Sequence, residues 1–268
     1  MPETSPVITR VLEAAPEPGP LPHFSATDVQ VSLGFPEIGT VSVSRDGVTI
    51  ASPTELAWDA AWNRLGHWAS AQWFLFHGYL VLPGAVVEKS GQAVALVGAT
   101  RVGASATALQ LTRNGFGVVS DGIVVVSPEG TIVTRSSEVT LDRELAEILF
   151  RDYPTRDLDS GRDRVAVEGP GGADSVVAAF AYLTLHSAVE DISVLRQSEP
   201  KVVLDSLSIR PLFLKAPAPL ESWVIPEIPL WKFSRNSPRS MEHLQRVGPQ
   251  ALSAIISDTV AGVISDGK

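Results

Sequence analysis

The sequence predicts an α/β protein: a mixed sheet around a P-loop-like core, with an N-terminal β-hairpin and helix and with C-terminal helices. Three observations lead there. Residues Ala93–Val97 form a buried-type apolar run that enters a glycine-bounded loop and then a helix start. Strand-like segments and helical segments succeed one another through the rest of the chain. Residues 29–50 alternate every second position, an antiparallel pattern placed before the first helix.

Composition bounds the functions. With 44% hydrophobic and 19% charged residues in 268, a sizeable core is available. The absence of cysteine excludes a disulfide framework, a thiolate metal site and a cysteine nucleophile. A formal net charge of −9 argues against a broad basic nucleic-acid face, so no nucleic-acid partner is expected. A polyphosphate ligand would need a local cluster of donors against that field. The first residues, Met1–Pro6, form no secretory leader, and no apolar run approaches the ~20 residues of a membrane helix. The expected location is cytoplasmic, without a membrane partner.

Prolines at 2, 6, 16, 18, 20 and 22 mark residues 1–24 as a tail, with one domain expected over 25–268. Val29, Val31, Leu33, then Val41 and Val43, then Val48 and Ile50 after Asp46-Gly47, read as hairpin strands. Ser52-Pro53-Thr54-Glu55 reads as a helix start with Ser52 capping. Leu56, Trp58, Trp62, Leu65 and Trp68 give that helix one apolar face. Strands are expected at Leu75–Leu82, Ala93–Val97, Gly117–Ser120, Ile123–Val126 and Ile132–Thr134. A helix is expected at Ser105–Arg113 and another at Thr140–Phe150. Arg151–Gly172 reads as a surface excursion and Val176–Leu185 as a buried strand. Ser237-Pro238 opens a helix that Gly248 stops, and Pro249 opens the last one, with Leu252, Ile255, Ile256 and Val260 on one face.

The chemistry concentrates at Gly98-Ala99-Thr100-Arg101-Val102-Gly103-Ala104-Ser105, with Ala106 following. A P-loop reads Gly, four residues, Gly, Lys, then Ser or Thr. Gly98, Gly103 and Ser105 hold their places, and Ala104 stands at the lysine position. Glycines let successive backbone N–H groups converge on phosphate oxygens, and the helix start adds further donors. The Ser105 hydroxyl suits Mg²⁺ on the nucleotide phosphates. Arg101, inside the loop, is a candidate replacement cation. Asp121, in Val118-Val119-Ser120-Asp121-Gly122-Ile123, is read as a carboxylate at a strand end, within about one water-bridged contact of Ser105 and able to share a metal. Lys232, Arg235 and Arg239 read as a solvated basic face. The scattered histidines lack metal-ligand spacing, so no zinc site is expected.

This arrangement, together with Phe76-His77-Gly78 upstream, resembles the HPr kinase/phosphorylase catalytic domain and its shorter relatives, a fold of the HPr kinase/PEP carboxykinase kind. The resemblance spans roughly residues 29–247. It implies ATP and Mg²⁺ as cofactors and phosphate transfer to a serine or threonine of a protein or peptide. Asp121 would then deprotonate the acceptor hydroxyl and lie near Mg²⁺, His77 would hydrogen-bond near it, and a homo-oligomer would be in keeping with the family. Ala104 and Gly122, the latter in place of a second aspartate, depart from the pattern. The alternative reading is a catalytically dead relative that binds nucleotide or a partner. A lysine-to-alanine change in an active loop would leave the same pattern.

Overall fold

A computed structural model of the chain describes residues 6–12, 23–35, 38–134, 136, 138–157, 164–169, 175–186, 191–209, 228–236 and 248–265. The chain falls into two compact units. The first comprises Met1–Val81 with Leu158–Asp163 and Ile209–Trp223, the second Leu82–Asp157, Arg164–Ser208 and Val224–Lys268.

In the first unit, β1 (Ile8–Leu12), β2 (His23–Ala26), β3 (Gln30–Phe35), β4 (Gly39–Ser44) and β5 (Gly47–Ser52) form one sheet in the order β1-β5-β4-β3-β2. The two-residue alternation sets its faces, with Val31, Val41, Val43, Val48 and Ile50 all buried. Part of the expected tail belongs to this sheet. β1 pairs in parallel with β5 from Ile8–Val48 to Leu12–Ser52, and β2 pairs antiparallel with β3. Paired rather than alternating apolar residues, Val7-Ile8 and Val11-Leu12, and the single Phe24 give no two-residue period for either strand.

Helix α1 (Glu55–Phe76) packs on this sheet. Its cap is Thr54, whose Oγ1 accepts from Ala57 N–H at 3.3 Å, rather than Ser52, which is buried in β5. The helix runs on through Leu75, where a strand was expected. Ala69, Trp73, Phe74 and Leu75 are all buried, so the apolar run carried neither period cleanly.

The second unit is built on β6 (Leu80–Lys89), β7 (Gln92–Gly98), α2 (Ala104–Leu111), β8 (Gly117–Val126), β9 (Glu138–Asp142), α3 (Arg143–Leu149), β10 (Thr155–Asp157), β11 (Arg164–Glu168), β12 (Val176–Leu185), β13 (Ile192–Arg196), α4 (Pro200–Leu207), β14 (Leu230–Arg235) and α5 (Pro249–Ser265). Its main sheet is six-stranded, in the order β13-β14-β12-β7-β6-β8. As expected it is mixed and β7 is central, antiparallel to β6 and parallel to β12, which in turn is parallel to β14.

Helix α2 is buried from Ala106 to Leu111. Ala108 and Leu111 meet a core that includes Leu96, Phe233 and the α5 residues Leu252, Ile256 and Val260. Ala106 and Leu109 meet Val139, Leu141 and Phe150. A 3-10 turn over Thr112–Asn114 ends the helix where the sequence placed its end.

Three segments depart from the pattern their sequence suggests. Thr140–Phe150 is not one helix: β9 alternates Val139 and Leu141 inward and pairs with β11 before Asp142 caps α3. The surface excursion holds β10 and β11, with residues 158–163 outside the described set. Gly117–Val126 is one strand carrying Gly122 at φ 84, so Asp121 sits mid-strand. The helix expected from Ser237 lies outside the described residues.

Candidate functional site

The parallel strands β7, β12 and β14 point their C-terminal ends the same way, where open α/β sheets carry ligands. β7 ends at Gly98, opposite Leu183 of β12. No larger residue fits there: a Cβ on Gly98 would stand 2.5 Å from Leu183 O and 3.0 Å from Val102 Cγ1. Gly98→Ala should therefore part β7 from β12 and lower stability by roughly 1–3 kcal/mol, read as a fall in Tm. An unchanged Tm would mean that the loop shifts freely to accommodate the methyl.

Beyond Gly98 the chain turns, with Val102 N–H donating to Ala99 O at 3.1 Å. Arg101 has φ 69 and Gly103 φ 96, with Val102 and Ala104 of ordinary sign around them. Alternating handedness of this kind is the backbone pattern from which anion-binding concavities are made. Gly103 is also the N-cap of α2, and its carbonyl accepts from Thr107 N–H at 3.0 Å and Thr107 Oγ1 at 2.8 Å. The amides of Ala104, Ser105 and Ala106 are the first-turn donors that a helix leaves without intrahelical partners. Ala99, Thr100 and Arg101 are exposed, whereas Val102 and Ala106 turn their side chains into the core and could offer a ligand backbone only. Ala104 is half-buried against the core beneath the loop.

Ser105 and Asp121 come together more closely than expected. Ser105 Oγ donates to Asp121 Oδ1 at 2.6 Å, with no water between. Asp121 Oδ2 accepts from the Thr140 backbone N–H at 2.9 Å, and its residue is only 8% exposed. β9 thus positions the carboxylate, a role hidden while Thr140 was read as helical. The two side-chain oxygens are hard donors on neighbouring elements, a pair that suits Mg²⁺ when phosphates and waters complete its shell. Among the described residues no group of three or more His, Cys, Asp or Glu converges, so any divalent ion held here would depend on ligand oxygens.

Arg235 is the residue whose place the sequence did not reveal. It was read as part of a solvated basic face, yet it is only 6% exposed. β14 puts it on the same face as Trp231 and Phe233, and its Nη2 donates to Val102 O at 2.9 Å. A Cβ on Gly103 would stand 2.9 Å from that nitrogen, so glycine there also makes room for the guanidinium. Burial lowers the Arg235 pKa from its ordinary value, but a guanidinium keeps its charge. The strand's alternation was the available signal. Lys232, by contrast, is half-buried on the other face, and Arg239 lies outside the described residues.

His77 belongs to the first unit. It caps α1, its Nδ1 lies 2.9 Å from Trp73 O, and its ring centroid is 4.3 Å from that of Trp73.

No protein-family model matches the chain, and no curated protein matches it. Among solved structures it is similar to the HPr(Ser) kinase/phosphatase from Coxiella burnetii, with a TM-score of 0.30 and 9% identity over 68% of this chain and 97% of that chain. A likeness this distant does not bear on the chemistry. No helix among the described residues is long and apolar enough to cross a membrane.

Proposed function

We propose that Gly98–Ala106 with Asp121 forms the nucleotide site of an ATP-dependent phosphotransferase acting on a serine or threonine of a protein or peptide. The observation that carries this reading is the direct 2.6 Å bond between Ser105 and Asp121 at the start of α2, beside the left-handed Gly103. The loop amides would hold the phosphates. Ser105 and Asp121 would hold Mg²⁺, which when bound neutralises charge on the β- and γ-phosphates. Arg235, buried behind the loop, would supply cationic charge that Ala104 does not.

In the transfer, the acceptor hydroxyl oxygen bonds to the γ-phosphorus as the bond to the β–γ bridging oxygen breaks and ADP leaves. Asp121 would take the hydroxyl proton, an ionised carboxylate being an acceptor on both oxygens.

The second reading, a nucleotide- or partner-binding protein without turnover, is favoured by Ala104. Its methyl packs half-buried against the core, leaving no cation at that position.

Titration calorimetry with Mg-ATP tests the site. The unaltered chain should bind weakly, and Ser105→Ala and Asp121→Asn should each reduce affinity at least tenfold, about 1.4 kcal/mol. Binding that ignores both substitutions would remove the nucleotide from this loop. Binding without transfer to any Ser- or Thr-bearing peptide would select the second reading.

A further inference from the structure

At one edge of the first unit's sheet lies a strand that buries little. β1 pairs along its whole length with β5, and Val48 N–H donates to Val7 O at 2.9 Å. Yet Val7, Ile8 and Leu12 are 54%, 42% and 57% exposed. The grip on it comes from α1. Trp58 Nε1 donates to Val11 O at 3.2 Å, Asp59 Oδ1 lies 3.2 Å from Arg10 Nη2, and the Arg10 guanidinium stands over the Trp58 ring at 5.9 Å. Exposed ion pairs hold little, and terminal strands with few buried contacts open first. Trp58, Asp59 and the β5 ladder would all remain if β1 left.

We propose that the β5 edge, with Trp58 and Asp59 of α1, is a strand-receiving site for an extended peptide, and that Val7–Leu12 fills it as the chain's own stand-in. The edge N–H and C=O groups of β5, once freed of β1, would pair with any extended backbone, which provides attachment without selectivity. Selectivity comes from α1. The indole N–H fixes one peptide carbonyl, and the carboxylate together with the ring face selects a basic side chain one residue before it. The partner is therefore a segment of β-branched apolar residues around a central arginine or lysine. A tethered strand competes at an effective concentration on the order of millimolar, so the full chain admits a free peptide poorly. The proposal concerns the first unit alone and does not depend on the chemistry at Ser105.

A labelled peptide of residues 6–13, read by fluorescence anisotropy, tests it. A chain lacking residues 1–12 should bind this peptide at least tenfold more tightly than the full chain. Asp59→Lys should abolish that gain for the natural peptide and restore it for a peptide carrying Arg10→Glu. If the truncated chain keeps its helical circular dichroism and binds no better than the full chain, the proposal fails. Should truncation unfold the unit, the cysteine-free full chain offers a second route. Val11 lies opposite Ala51, so a disulfide between Val11→Cys and Ala51→Cys locks the slot shut. The oxidised form should then bind at least tenfold more weakly than the reduced form, and equal binding overturns the proposal.

Discussion

Ala104→Lys is expected to strengthen Mg-ATP binding at least tenfold. An ammonium ~4 Å from a phosphate charge contributes up to ~4 kcal/mol at an effective dielectric of ~20. Desolvation removes part of that, and ~1.4 kcal/mol suffices for the tenfold change. Position 104 is half-buried rather than sealed, so a lysine stem can leave along the core's edge while its head reaches the loop. Calorimetry of both forms is the measurement. If the lysine variant binds no better, the loop does not hold phosphate at the position its pattern implies.

Arg235→Met is expected to weaken Mg-ATP binding at least tenfold and also to destabilise the fold. Methionine keeps much of the buried volume but leaves Val102 O without its charged donor, a loss of about 1.5–3 kcal/mol that appears as several degrees in Tm. The two readouts separate the roles of the guanidinium. A lower Tm with unchanged affinity would make Arg235 a brace for the loop and nothing more. If it also serves the phosphates, adding Ala104→Lys to Arg235→Met should recover binding without recovering Tm. The two changes both lie beside Gly103 and need not add.

The second unit's centre was legible because two independent patterns agreed there. The Ala93–Val97 run has the length of a buried strand, and Gly98 and Gly103 bracket a turn into an alanine-rich helix. The pairing of Ser105 with Asp121 was expected from a carboxylate at a strand end above the loop, although Asp121 is mid-strand. Leu75–Leu82 was misread because a helix buried on many sides and a buried strand share the same apolar run. Thr140 was misread because helix-compatible residues follow it, while the partner strand β11 that draws Glu138–Asp142 into a sheet lies 22 or more residues on in the register. Arg235 was missed for a physical reason of another kind. Charge in a sequence reads as solvent exposure unless a carbonyl such as that of Val102 takes it inside, and such pairing is written only in three dimensions.

Gly122 limits what can be added beside Asp121. At φ 84 it turns β8 mid-course, and Ser120 Oγ bridges the irregularity to Ile123 O at 3.2 Å. An L-residue adopts that backbone only under strain, aspartate somewhat less than most. Gly122→Asp would therefore not simply add a second carboxylate beside Asp121, because the strand's path presupposes glycine. Side chain and backbone are coupled, and a single-letter change alters only one of them.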